Sequence, residues 1–72
     1  MQNPYGENLP IFPYLGYAPI TIDRVERVIQ RLVDRAEATF LDESKNVTQA
    51  QYDAWNKALN NWAKEQFARA SA

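Results

Sequence analysis

From residue 21 onward the apolar positions of this chain recur at intervals of three and four, and before that point no such period holds. Ile22, Val25, Val28, Ile29, Leu32, Val33, Ala36 and Phe40 make one stripe, with Leu41 beside it. That spacing puts them on one face of an α-helix. Asp42, Glu43, Ser44, Lys45 and Asn46 then break the pattern with a short polar connection. A second stripe follows through Tyr52, Trp55, Leu59, Trp62, Ala63, Gln66, Phe67 and Ala70, with most of the charged and amide side chains on the opposite side.

Both stripes begin with start signals. Thr48 with Gln51 three residues on is a capping box, and Val47 and Tyr52 are spaced as a hydrophobic staple across it. Thr21 is a cap for the first segment, Ile20 and Val25 can staple across it, and Asp23 suits the positive end of the helix dipole. The pattern predicts helices over about 21–43 and 48–70, each roughly 35 Å long. A connection of about five residues sets them antiparallel. The fold expected is all-α: a two-helix hairpin over residues 21–72, preceded by an extended proline- and aromatic-rich arm over residues 1–20.

All four prolines and both glycines fall in that arm. Its stretch NLPIFPYLGYAP, residues 8–19, interleaves three prolines and three aromatic rings with aliphatic side chains. Prolines at 10 and 13 favour extended backbone at Leu9 and Phe12. The aromatic breadth of the second helix exceeds what one helix seam can bury, so something must cover the Trp55 and Trp62 side. Either the arm folds back to do so, or it clasps another protein, or it is exchanged with a second copy of the chain. Because the helices carry their own start signals, deleting residues 1–19 is expected to leave helical circular dichroism largely intact.

Composition narrows the chemistry. Seventy-two residues with 46% hydrophobic and 24% charged side chains make one small folding domain, near the size where a single core only just offsets chain entropy. The chain has no cysteine and no histidine. Disulfides, thiolate chemistry, the commonest zinc ligands and the commonest general base near neutral pH are thereby removed. No catalytic residue, cofactor site or metal site is assigned, and a non-enzymatic protein is expected. Asp42, Glu43 and Asp53 gather near the turn but lack the spacing and central glycine of a calcium loop. Asn46, Val47 and Thr48 match a glycosylation acceptor pattern, which the capping role of Thr48 already explains. No run approaches the ~20 apolar residues of a membrane span, and the N-terminal segment does not read as a secretory signal, so no membrane and a cytoplasmic setting are expected.

A net charge of −1 disfavours nucleic acid as a partner. Arg24, Arg27, Arg31 and Arg35 nonetheless recur along one ridge of the first helix, with Asp23, Glu26, Asp34 and Glu37 interleaved as pairing partners. The expected role is a small protein–protein interaction module, an accessory subunit or an inhibitor of a larger protein or assembly, virus-encoded inhibitors included. Its partner-binding residues are expected among Leu9, Ile11, Phe12, Tyr14, Leu15, Tyr17, Arg24, Arg27, Arg31 and Arg35. The alternatives are a self-assembling structural protein that forms a helical-bundle homo-oligomer and, more weakly, a nucleic-acid accessory protein using the arginine ridge.

Overall fold

The computed structural model describes residues 8–16 and 20–71, with the side chain of residue 71 left aside. Two antiparallel helices, α1 (Ile22–Leu41) and α2 (Gln49–Ser71), are joined by a short polar turn. The all-α hairpin expected from the periodicity is the fold.

Local chemistry sets the helix ends. The Thr21 hydroxyl accepts from the Arg24 N–H at 3.1 Å and opens α1. At α2 the capping box is complete: Thr48 Oγ1 accepts from the Gln51 N–H at 3.1 Å, and Gln51 Oε1 accepts from the Thr48 N–H at 3.0 Å. Helix α1 stops at Leu41, two residues earlier than the pattern suggested, because Asp42 turns to extended backbone and caps a single 3₁₀ turn over Glu43–Lys45. The Asp42 carboxylate accepts from the Ser44 hydroxyl at 2.7 Å and from the Ser44 N–H at 3.0 Å. Those two bonds, hydroxyl first, hold its carboxyl below the ordinary value of 3.8. Asn46 follows in the left-handed region at φ 53°, a conformation asparagine tolerates better than most residues.

The arm lies on the hairpin. Leu9 joins Leu32, Ala36, Trp55 and Leu59 in one buried cluster, and Leu15 joins Ile20 and Val25 in another, with Val28 and Trp62 packed against both. Ile20 and Val25 meet as a staple across the α1 cap would have them. Between the two leucines, Phe12 stacks on Trp55 and Trp62 at centroid separations of 5.7 and 6.0 Å. Tyr52 abuts Trp55 edge-on and Phe40 meets Tyr52 at 4.5 Å, so five rings run in unbroken contact along the hairpin. This is the cover that the wide aromatic face of α2 required.

Three side-chain bonds to backbone carbonyls fix the arm along its length. Asn8 Nδ2 donates to the Lys45 carbonyl at 2.7 Å, at the turn end of the hairpin. Trp55 Nε1 donates to the Pro10 carbonyl at 2.9 Å in the middle. Arg69, held by Gln66 Oε1 at 3.0 Å, donates to the Gly16 carbonyl near the other end. Gly16 takes φ +83°, with no heavy atom within 4 Å of where a Cβ would stand, so backbone conformation alone calls for glycine there.

The ends of the α1 stripe differ from the periodic expectation. Ile22 and Leu41 are 47% and 77% exposed. Ile22 lies about 60° around the helix from Val25, at the edge of the stripe. No helix among the described residues is long and apolar enough to cross a membrane.

Candidate functional site

The residues singled out for partner binding fall into two groups. Leu9 and Leu15 are buried, and Phe12 is half-buried against both tryptophans, so these three meet the chain's own hairpin. Ile11 and Tyr14 point the other way and are 70% and 69% exposed. Tyr17 lies outside the described residues. The inward residues Leu9, Phe12 and Leu15 and the outward pair Ile11 and Tyr14 each recur every third position, the period of a polyproline-like extended chain pinned on one side.

The arginines divide as well. At about 100° per residue, Arg24, Arg31 and Arg35 fall within a sector of about 40°, while Arg27 sits about 60° to one side. Arg27 turns to Asp23 and forms an exposed ion pair at 3.0 Å, the single ion pair among the described residues. Asp34 instead accepts from Gln30 Nε2 at 2.9 Å. The interleaved carboxylates therefore neutralise the ridge less than their spacing suggested. Arg24, Arg31 and Arg35 are left to line an open groove of about 640 Å³ between α1 and the arm.

Opposite them the groove is walled by Ile11, Pro13 and Tyr14, and its floor includes Val28 and Leu32. Among the described residues no carboxylate lines it. The groove is thus amphipathic: an apolar wall that can take aliphatic or aromatic side chains, and a row of guanidinium groups that can hold anionic ones. A shallower hollow of about 470 Å³ lies on α2 beside Phe12 and Trp62, floored by Ala54 and Ala58 and bordered by Lys57 and Glu65. It carries both signs of charge and no preference between them. Among the described residues no three acidic side chains converge as a metal site would require.

Trp55 lies beneath the arm as expected, although its hydrogen bond to the arm was not foreseen; Asn8 and Arg69, which also hold the arm in place, were not foreseen as arm-binding residues. Trp55 had a detectable signal, since a buried indole N–H must find an acceptor. For Asn8 and Arg69 nothing in the local pattern pointed to the arm; Arg69 reads as an ordinary basic residue in the last turn of a helix.

No known protein family, curated protein or solved structure matches the chain.

Proposed function

We propose that this chain is a non-enzymatic protein–protein interaction module that docks onto a larger protein or assembly. The observation that carries the proposal is the outward placement of Ile11 and Tyr14 on an arm tied to the hairpin at three points, directly beside three arginines of α1. Tyrosine and arginine are among the side chains that contribute most at interfaces. An arm already held in place loses little further freedom on binding. A lone exposed apolar side chain is ordinary; two on a pinned extended arm, next to guanidinium groups with no carboxylate partner among the described residues, are the makings of an interface.

Self-association has less support. Ile22 and Leu41, the exposed aliphatics of α1, stand at opposite ends of the helix, about 28 Å apart, and form no common patch. A nucleic-acid stacking platform is disfavoured because Trp55 is fully buried and Trp62 is half-covered under Phe12.

The test is affinity capture from the native host with the full chain and with the Ile11→Asp/Tyr14→Ser variant. Circular dichroism of the two should match, because both side chains face solvent. A partner retained by the wild type and lost by the variant is expected; identical capture by both would remove the arm's outer face from the interface.

A further inference from the structure

We infer that the groove between the arm and α1 receives an extended acidic peptide segment, about five residues long, in which carboxylates flank an apolar side chain. This rests on the docking role proposed above and names its ligand.

Charge complementarity carries the argument. Among the described residues, every charged side chain lining the groove is a guanidinium, Arg24, Arg31 and Arg35, and none of the three has an ion-pair partner there. Guanidinium groups grip carboxylates through paired N–H donors, and less water is held back than by an ammonium. The facing wall of Ile11, Pro13 and Tyr14 offers no charge and selects for a hydrocarbon side chain.

Dimensions set the length of the ligand. Arg24 and Arg35 are eleven residues apart on α1, which at 1.5 Å per residue spans about 16 Å. An extended chain rises about 3.3 Å per residue, so about five residues run from the first guanidinium to the last. In an extended ligand of this kind the central apolar side chain faces the arm and its immediate acidic neighbours face α1.

A polynucleotide fits less well. Its charge is continuous and needs a longer basic track, whereas Asp23, Glu26, Asp34 and Glu37 lie on the same helix outside the groove and the net charge is −1. No exposed tryptophan adjoins the arginines for base stacking.

The experiment uses the full chain and a fluorescein-labelled pentapeptide with a central leucine flanked by pairs of glutamates. Its glutamine analogue and a short oligothymidylate serve as comparison probes in anisotropy titrations. Saturable binding of the acidic peptide is expected, weakened by added salt and absent for the glutamine analogue. Arg31→Glu/Arg35→Glu should weaken it at least about tenfold. Arg27→Glu/Lys57→Glu, the same change in net charge away from the groove, should leave it within about twofold, with helicity preserved in both variants. No saturable binding of the acidic peptide, or equal weakening by the two charge reversals, would overturn the inference. So would tighter binding of the oligothymidylate, which would make the groove a nucleic-acid surface. Affinity capture separates the two levels of the proposal. If Ile11→Asp/Tyr14→Ser loses the partner while Arg31→Glu/Arg35→Glu retains it, the docking role stands and the acidic ligand falls. If neither variant changes capture, both the acidic ligand and docking through this face of the arm fall.

Discussion

The indole N–H of Trp55 donates to the carbonyl oxygen of Pro10 at 2.9 Å, joining the second turn of α2 to the arm across 45 positions of sequence. Trp55 is fully buried, so without that acceptor its N–H would be an unsatisfied donor inside the core. Proline is apt on the accepting side: it has no N–H of its own to satisfy, and its fixed φ keeps the carbonyl in place.

Trp55→Phe keeps most of the apolar volume but removes the donor and strands the Pro10 carbonyl, at a cost of about 1–3 kcal/mol. Trp55→Ala also opens a cavity where Leu9, Leu32 and Leu59 converge, for about 3–5 kcal/mol. Small domains sit near the lower end of the usual range of about 5–15 kcal/mol of stability, so the alanine variant should keep about 2 kcal/mol or less and unfold at low urea concentration. Urea titrations followed by far-UV circular dichroism rank the three proteins; equal midpoints for wild type and Trp55→Phe would show that the bond contributes nothing.

Thr48 is the most local of the determinants. Thr48→Ala removes the acceptor for the Gln51 N–H and leaves only the reciprocal half of the box, at a cost of about 1 kcal/mol. For a domain of this size that lowers Tm by about 4–8 °C. Thr48→Ser retains the hydroxyl and should melt close to wild type. Equal losses in both variants would assign the effect to the threonine methyl group instead.

Such caps were legible in the sequence because a cap is written within four consecutive residues: Thr21 and Thr48 open their helices where the pattern put them. The need for a cover over α2 was legible too, since Tyr52, Trp55, Trp62 and Phe67 are too broad a set for one seam. The identity and register of the cover were not, because they depend on pairs such as Trp55 with Pro10 and Arg69 with Gly16 that no periodicity encodes. At the groove, the separation of Arg27 from Arg24, Arg31 and Arg35 follows from helical angles alone. The opposing wall does not, since nothing in the spacing of the arm fixes Ile11 and Tyr14 as its outward pair. The early end of α1 arises from Asp42, whose carboxylate competes for the backbone that would have continued the helix.

That carboxylate also gives the turn a pH dependence of known sign. Its two bonds from Ser44 lower the Asp42 carboxyl in the folded chain, so the folded state binds this proton less readily than the unfolded state does. The stabilisation is present above the ordinary value of 3.8 and is lost as pH falls through the lower folded value. Asp42→Asn cannot titrate. Urea midpoints measured from about pH 6 downward should therefore fall more steeply for the wild type than for Asp42→Asn once pH passes below 3.8. Parallel curves would mean that Asp42 interacts equally in both states.

The arm is a structural element of the hairpin, and its removal should be felt there. The helices carry their own caps, which favours their persistence as local structure when residues 1–19 are deleted. Deletion nevertheless takes away Leu9 and Leu15, each contributing about 1.5–3 kcal/mol by burial, together with the Phe12 ring stacked on both tryptophans and the acceptor for Trp55. An isolated amphipathic helix of this length is marginal in water without packing. The truncated chain should therefore unfold at a markedly lower urea concentration, expose its tryptophans with a red-shifted emission, and lose much of its helical signal or self-associate to hide them. A synthetic peptide of residues 8–16 added in trans should shift the emission back toward the blue, and the same peptide with Phe12→Ala should do so less well. A truncated chain with an unchanged urea midpoint would show that the arm lies on the hairpin without stabilising it.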